Sequence, residues 1–360
     1  MFDRIWNGII HIGMPCVAAY HLLCGSLFLN TAAEDAEGLE KWGNTLLTPV
    51  HYLLAGKKAA REGDHYVFQQ MFDYHPHFKL RTAASVVACP FSIVLGSAVK
   101  GLSYFSEETR QRHAALQASQ HYVASNLAKY LQMGLAVNDF KQGASLEFPR
   151  FQRRPGDENA LFLEKEALRE ITALLHTHQI PFWLENGTCI GAFRYGGVIP
   201  WDNDIDLAIL EPDFDNVMHV LRKLNPEKYA VQDWSSRSCP KAYIRVYIKE
   251  NRACIDFSVV RIDQEKKTLA GIFSFEESPF MPKWWLEREK RYINAYAYEV
   301  IFPLKKAMFD GVEVPVPHQT VAYLQARYGE NLDPVMLYNE ATGKYEKDLS
   351  HPYWLMPDMH

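Results

Sequence analysis

Several features that would assign a chain to a familiar class are missing from this sequence. Its six cysteines include no C-x-x-C pair and no regular spacing, which argues against a disulfide framework or a structural zinc site and favours a reducing compartment. No internal repeat or low-complexity tract occurs, which argues against a repeat protein. Basic residues are not in excess, because the formal net charge is −5. We therefore expect no nucleic acid among its partners.

The composition allows a large folded core. Hydrophobic residues make up 48% of the 360 residues and charged residues 22%, so wholesale disorder is not expected. This length predicts two domains. The stretch KQGASLEFPRFQRRPGDENA, residues 141–160, contains Gly, Pro and clustered Arg, and it separates two differently patterned halves. We predict a mainly helical N-terminal region at residues 1–150 and a second domain at residues 151–360.

Two long apolar runs lie in the first half, at residues 8–29 and 82–99. The second run is at the lower length limit for crossing a bilayer and is bounded by Arg81 and Lys100. Two buried helices of a soluble domain and a membrane-embedded or re-entrant hairpin are both compatible with this pattern. A cleaved signal peptide is a third reading of the first run, although few basic residues precede it and no clear cleavage site follows. We expect a cytoplasmic protein or one at the cytoplasmic face of a membrane.

The second half alternates between helical and strand-like segments. An apolar stripe predicts a helix after Glu158, and Pro181 ends it. The order that follows is a strand in FWLEN, a short helix in GTCIGAFRYGG, the strand IDLAIL, a helix with Asp213 as N-cap, and three further strands. The last two of these, AYIRVYIKE and RACIDFSVVRI, read as a hairpin. This order predicts an α+β fold, with a mixed sheet and flanking helices.

Three aspartates stand two residues apart in GGVIPWDNDIDLAIL: Asp202, Asp204 and Asp206. Side chains at i and i+2 of a strand share a face, so Asp204 and Asp206 should project together and repel each other. A divalent cation with hard oxygen ligands, Mg²⁺ or Mn²⁺, would offset that repulsion. Asp256, in the apolar strand CIDFSVV, offers a third carboxylate. The alternatives are a solvated acidic turn and, for Asp256, an edge-strand position or an ion pair with a nearby Arg.

The segment upstream of the aspartates contains groups that suit an anion. Gly187 and Thr188 lie between a strand and a short helix, where backbone N–H groups can approach a phosphate. Arg194, near the end of that helix, could add a bidentate contact. The alternative is an ordinary tight turn with a surface Arg. Lys241 and Arg245 could supply further positive charge, or could belong to a solvated face.

The stretch WLENGTCIGAFRYGGVIPWDNDIDLAI resembles the signature of the LicD family, which includes the fukutin and fukutin-related transferases. The resemblance extends less tightly from Glu158 to Asp348, through CIDFSVV and a closing segment that contains Phe309-Asp310-Gly311 and Tyr328-Gly329. The signature positions present here, in order, are Trp183, Gly187, Thr188, Gly191, Ala192, Arg194, Ile199, Pro200, Trp201, Asp202, Asp204 and Asp206.

This resemblance implies a nucleotidyltransferase-like fold in which Asp204, Asp206 and Asp256 bind Mg²⁺ or Mn²⁺. It also implies transfer of a phospho-alcohol, such as phosphocholine or ribitol phosphate, from a CDP-linked donor to a glycan or glycolipid hydroxyl. Gly187, Thr188, Arg194 and Asp202 would then serve the donor, and Asp256 would share a second metal or act as general base.

Departures from the family pattern at Asn186, Cys189 and Ile190 leave the donor open. True nucleotidyl transfer from a nucleoside triphosphate is an alternative, and so is an inactive relative that binds a glycan or a membrane.

Overall fold

The computed structural model describes residues 16, 19–74, 77–120, 125–137, 140, 145–146, 150–273, 276 and 282–356. Residues 8–15, 17 and 18 of the first apolar run therefore lie outside the described residues. The chain divides into two compact units, unit 1 at Met1–Tyr122 and unit 2 at Val123–His360.

The segment between residues 123 and 150 is part of unit 2, although the sequence placed it with the N-terminal region. Its apolar residues Tyr130, Leu135 and Phe140 are buried in the core of unit 2. The Tyr130 hydroxyl also donates a 2.6 Å hydrogen bond to Asp213 Oδ2. Composition places the boundary in the Gly- and Pro-containing stretch at residues 141–160. The packing of these aromatic and aliphatic side chains instead places it after Tyr122.

Unit 1 is mainly helical, as the sequence predicted, but it also contains a small sheet. Strand β2 pairs with β1 in parallel and with β3 in antiparallel orientation. The two residues Gly63 and Asp64 connect β2 to β3, and Gly63 supplies the positive φ of +61° that such a tight turn requires. The helices are α1 (Leu27–Asn30), α2 (Gly38–Leu46), α3 (Thr48–Leu53), α4 (Phe78–Ser103) and α5 (Glu107–Ser119), and the strands are β1 (Thr31–Ala33), β2 (Lys57–Glu62) and β3 (His65–Gln70).

Unit 2 is an α+β domain, which confirms the predicted fold class. Its helices are α6 (Leu127–Gln132), α7 (Phe162–Thr177), α8 (Asn186–Tyr195), α9 (Phe214–Leu221), α10 (Lys283–Glu289), α11 (Tyr298–Ile301) and α12 (Thr320–Tyr328). Its strands are β4 (Phe182–Leu184), β5 (Ile205–Leu210), β6 (Tyr229–Asp233), β7 (Tyr243–Ile248), β8 (Cys254–Asp263), β9 (Thr268–Gly271), β10 (Ala295–Ala297), β11 (Lys305–Phe309), β12 (Val312–Val316), β13 (Met336–Asn339) and β14 (Lys344–Lys347).

Among the described residues, the main sheet of unit 2 has seven strands, and the long strand β8 lies at its centre. On one side β8 pairs in parallel with β5, and β5 pairs in turn with β4. On the other side the first half of β8 pairs with β7 and its second half with β9, both in antiparallel orientation. Strands β6 and β10 complete the sheet beside β7 and β9. The sheet is therefore mixed, and β7 with β8 forms the predicted hairpin.

Burial explains why IDLAIL forms a strand in the interior of this sheet. After Asp206, the four residues Leu207–Leu210 are all buried, as expected for a strand covered on both faces. Leu168, Ile171 and Leu175 form the apolar stripe of α7 and pack into the same core. The polar residues of the motif are consequently confined to the start of β5, where the chain enters the sheet.

Candidate active site

Three charged side chains occupy one row across the main sheet. Asp206 on β5 is the register partner of Asp256 on β8, and Asp256 is the register partner of Arg245 on β7. Register partners in neighbouring strands project from the same face. The pairing of three strands that are distant in sequence therefore forms an acid–acid–base row, which the spacing of the aspartates alone does not show.

The structure brings Asp204, Asp206 and Asp256 together, and we call these three residues the aspartate cluster. Each offers one carboxylate oxygen, and these oxygens all lie within 4.8 Å of one another. Asp204 immediately precedes β5, whereas Asp206 and Asp256 lie within strands. Asp256 is buried, and the other two are partly exposed. The cluster is thus open to a ligand on the side of Asp204 and Asp206.

The carboxyl groups of Asp202, Asp204 and Asp206 have pKa values above that of free aspartate. Burial, followed by the charge of Asp204, raises the pKa of Asp202 to about 7. Burial and the charge of Asp256 raise the pKa of Asp204. The pKa of Asp206 lies well above its usual range because its surroundings desolvate the carboxyl group and because Asp204 and Asp256 repel its charge. Full ionisation of these carboxyl groups is therefore unfavourable without added positive charge, which is the condition under which a bound cation is favoured.

Arg245 neutralises one member of the cluster. Its Nε donates a 2.7 Å hydrogen bond to Asp256 Oδ1, and its second terminal nitrogen donates a 2.6 Å bond to Oδ2. Burial acts against the guanidinium charge, but these bonds to Asp256 raise the pKa of Arg245 overall. The guanidinium carbon lies 5.1 Å from the ring centroid of Trp234 and 5.6 Å from that of Tyr243. Asp256 is therefore both a member of the aspartate cluster and the ion-pair partner of Arg245.

Asp202 lies against the first turn of α8. A Cβ atom added at Gly187 would be 2.5 Å from Asp202 Oδ2, so only glycine admits this carboxylate. Negative charge near a helix N-terminus is favourable. Thr188 is buried in the same turn, and its hydroxyl oxygen accepts a 2.8 Å hydrogen bond from the backbone N–H of Asp206. Gly187 and Thr188 therefore border the cluster, and Thr188 fixes α8 to the start of β5.

Arg194 lies away from the cluster, near the other end of α8. Its buried guanidinium donates to the backbone carbonyls of Leu332 at 2.7 Å and Asp333 at 2.6 Å. Burial lowers the pKa of this arginine. Because these carbonyls engage its donors, we leave Arg194 out of the donor site proposed below. Lys241 is also engaged, in a 2.5 Å ion pair with Asp215.

Two buried charged residues near the aspartate cluster were not identified from the sequence. Glu185, directly before the glycine turn, pairs with Arg327 of α12, and both side chains are buried. Arg327 also donates to the Asn186 side chain and, at 3.1 Å, to the Tyr296 hydroxyl. Glu185 further accepts a 3.0 Å bond from Trp183 Nε1. The sequence did offer one signal, because Glu185 is an acidic residue at the end of an apolar strand. Its partner Arg327 lies 142 positions later in the chain, and the sequence does not indicate that pairing.

Comparison with known proteins identifies one family model and several relatives. Residues 179–319 match the family model described as LicD/FKTN/FKRP, nucleotidyltransferase domain. An uncharacterized protein of Rickettsia prowazekii is 26% identical over 165 residues, which cover 46% of this chain and 53% of that protein. Human ribitol-5-phosphate transferase FKTN is 27% identical over 169 residues, covering 46% of this chain and 32% of the transferase.

A shorter match, 35% identical over 60 residues, is to the lipopolysaccharide cholinephosphotransferase LicD of Haemophilus influenzae, and covers 17% of this chain and 23% of that protein. The chain spans about half the length of the first relatives it matches. Among solved structures, CdnG of Bradyrhizobium diazoefficiens, a CD-NTase in complex with GTP, covers 39% of this chain and 44% of its own at 16% identity, with a TM-score of 0.20. The family model and the motif agree: residues 179–319 are similar to the nucleotidyltransferase domain of the LicD/FKTN/FKRP family.

Proposed function

We propose that this protein is a divalent-cation-dependent transferase that moves a phospho-alcohol from a CDP-linked donor to a hydroxyl of a glycan or glycolipid. The observation that carries the proposal is the aspartate cluster, which lies in a domain whose named relatives transfer ribitol phosphate and phosphocholine. The acceptor hydroxyl attacks the phosphorus that bears the alcohol, the bond from this phosphorus to the CMP oxygen breaks, and the hydroxyl proton is released.

The cluster has the donor set that Mg²⁺ or Mn²⁺ requires. Its three carboxylate oxygens are hard ligands within 4.8 Å of one another, and Asp204 and Asp206 are partly exposed. These two residues would hold the cation, and Asp256 would complete the set. A cation bound there supplies positive charge to the diphosphate of the donor and to the departing CMP.

The bidentate pairing with Arg245 supports a proposed role for Asp256 in orientation and cation binding. Both of its oxygens already accept hydrogen bonds from Arg245, so we do not assign it the proton of the acceptor hydroxyl. Each carboxylate oxygen has a second lone pair, which leaves Asp256 able to contact a cation. Arg245 thereby holds the ligand oxygens of Asp256 in place and limits the negative charge of the row.

The first turn of α8 is the proposed border of the donor site. Gly187 leaves room for Asp202, and Thr188 ties the turn to the backbone of Asp206. Arg327 contacts both Glu185 and Asn186, the two residues that precede Gly187. These contacts hold the backbone in place where it enters the turn. A donor phosphate would therefore meet a rigid backbone segment, which lowers the entropic cost of orienting it.

A donor screen tests the proposal. CDP-choline, CDP-ribitol and CDP-glycerol are each incubated with the full chain and Mg²⁺, with a glycan extract as acceptor, and CMP release is measured. We expect one donor to yield CMP together with a labelled glycan, and D204N D206N to reduce that rate by about 10³-fold or more, because electrostatic stabilisation of the transition state is lost. The matched control is D215N, which removes an exposed carboxylate outside the cluster.

Product analysis separates the outcomes. CMP release with the phospho-alcohol attached to the glycan supports the proposal. Pyrophosphate release from a nucleoside triphosphate, with the nucleotide attached to the acceptor, would replace it with true nucleotidyl transfer. Failure of the full chain to bind both Mg²⁺ and every CDP-alcohol in calorimetry would contradict catalysis and favour an inactive binding protein.

A further inference from the structure

Helix α4 of unit 1 buries its polar residues and exposes its apolar ones, which is the reverse of an ordinary surface helix. Its buried positions form one stripe of small or polar residues, which we call the inward stripe: Ser85, Ser92, Gly96, Lys100 and Ser103. These positions recur at steps of seven, four, four and three residues, so they lie along one side of the helix. A helix on a water-soluble domain places polar residues outward and apolar residues inward.

Close packing explains why the inward stripe needs small residues. A Cβ atom at Gly96 would lie 2.8 Å from Leu47 Cγ, and the Ser92 hydroxyl donates to the Leu46 carbonyl. At the far end of the stripe, Lys100 Nζ donates a 2.9 Å hydrogen bond to the carbonyl of Thr31. The polar atoms of this face are therefore used inside unit 1.

The opposite side of α4 is apolar and exposed to the surroundings. Phe91 is 80% exposed, Val87 74%, Val94 73% and Leu80 72%. We call these four residues, together with Leu95 and Leu102, the outward face. No charged residue occurs between Arg81 and Lys100. The helix has 26 residues and is about 39 Å long, so this apolar strip exceeds what soluble monomers ordinarily expose.

We propose that the outward face of α4 docks onto a lipid bilayer with the helix axis parallel to the membrane surface. A protein partner would be expected to meet polar groups at about one hydrogen bond per 100–200 Å² of interface, and the outward face offers only aliphatic and aromatic carbon. Lys79 and Arg81 are exposed in the first turn of α4, where they can contact anionic headgroups.

The packing of α2 and α3 favours this parallel orientation over a transmembrane one. In the described part of the chain, α4 is the helix long and apolar enough to cross a membrane by length and composition. However, α2 and α3 lie along the inward stripe, with Gly43 against Lys100 and the Tyr52 ring 6.4 Å from that of Phe78. A bilayer surrounding α4 would also cover the exposed Lys41 of α2, and a charged side chain in the hydrocarbon region is unfavourable.

Vesicle binding tests the docking independently of any enzymatic activity. The full chain is mixed with vesicles of phosphatidylcholine, alone or with phosphatidylglycerol in equal parts, and flotation is measured without donor or acceptor. We expect the chain to float with both, and more completely with phosphatidylglycerol. The V87S F91S V94S variant should lose at least about 10-fold in binding, because three apolar side chains that would transfer from water into the bilayer are removed.

The matched control is F162S, which removes a 63% exposed phenylalanine from α7 of unit 2 and should float like the unsubstituted chain. Absence of flotation of the unsubstituted chain would overturn the proposal. It would also be overturned if the triple serine variant bound equally well, or if its only effect were to convert a lipid-free dimer into a monomer, since the outward face would then bind a second copy.

Depth measurements test the orientation. Leu80, Phe91 and Leu102 follow one another at steps of eleven residues, so successive positions differ by only about 20° around the axis. Tryptophan is placed at each in turn, as L80W, F91W and L102W, and the change in quenching by lipids brominated at defined depths is compared with that of the unsubstituted chain. A parallel helix places all three at similar shallow depths, about 5–10 Å into the headgroup boundary. Deep quenching at 91 with shallow quenching at 80 and 102 would overturn the parallel orientation.

Discussion

The two units of this protein use apolar residues in opposite ways. In unit 2, the strand IDLAIL buries its aliphatic residues and leaves its acids at the strand entry, as expected for a domain that folds in water. In unit 1, helix α4 buries serines, a glycine and a lysine, and exposes valine, leucine and phenylalanine. The difference teaches that the distribution of apolar residues on a helix must be read together with its packing, because composition alone left α4 open between a buried helix and a membrane-associated one.

The comparison also separates two uses of buried charge. In unit 2, Glu185 and Arg327 form a buried ion pair beside the cluster, and Arg245 pairs with buried Asp256. In unit 1, the buried charge of Lys100 faces a backbone carbonyl, and His51 is buried close to it. Each arrangement predicts a different response to substitution or to pH, and the four predictions below run from the largest expected effect to the smallest.

Removing Arg327 should produce the largest loss of stability. R327M leaves Glu185 buried without its partner, and we expect a loss of about 3–5 kcal/mol in the free energy of unfolding of unit 2. Urea unfolding followed by circular dichroism measures this loss. The matched control is R222M, at an exposed arginine of the same unit. The double variant E185Q R327M should lose less than the sum of the single variants, and strict additivity would contradict the pairing.

Substitution of Gly187 should affect turnover more than stability. In G187A the new Cβ would lie 2.5 Å from Asp202 Oδ2, so the carboxylate and the first turn of α8 must separate. We expect kcat/KM with the cognate CDP-alcohol to fall by about 10–100-fold, because small displacements of positioning groups are costly. G101A, where the added Cβ meets nothing within 4 Å, is the control. Full activity of G187A would show that catalysis does not require the position of Asp202 against the first turn of α8.

Acid should destabilise unit 1 through His51. Burial, aided by the charge of Lys100, lowers the pKa of His51 from 6.5 to about 3. The unfolded state therefore binds the proton first as pH falls below about 6.5, and the stability contributed by neutral His51 is lost progressively down to about pH 3. At pH 5 this loss amounts to about 2 kcal/mol. Thermal unfolding at pH 7 and pH 5 measures it, and H51Q should flatten the dependence. An unchanged pH dependence in H51Q would exclude this histidine as the cause.

Serine on the outward face of α4 should have the smallest effect in the absence of lipid. F91S removes a side chain that is 80% exposed, so we expect the free energy of unfolding to change by no more than about 0.5 kcal/mol. G96V on the inward stripe is the matched comparison, and overpacking against Leu47 should destabilise by about 1–3 kcal/mol. Chemical denaturation without lipid checks both. Equal losses would mean that the two sides of α4 are not opposite in burial.

The sequence predicted most of unit 2 because its local signals agree with one another. The strand IDLAIL and the hairpin of AYIRVYIKE and RACIDFSVVRI were identified from alternation and apolar runs. Asp213 precedes α9 as predicted, but its side chain accepts hydrogen bonds from Tyr130, Asn126 and Asn216 and does not cap the helix. The small sheet of unit 1 was missed because its short strands, β1 especially, carry little pattern of their own.

By itself, the sequence determined the family motif, the α+β class of the second half and the three aspartates expected to act together, because short-range spacing and residue type encode these features. Only the tertiary structure decided that Arg245 neutralises Asp256, that Arg327 holds the entry to the glycine turn, and that Arg194 is engaged elsewhere. It also decided which side of α4 is buried. The physical reason is that these contacts join strands and helices far apart in the chain, and residue spacing does not encode which distant side chain is adjacent once the sheet and helices have packed.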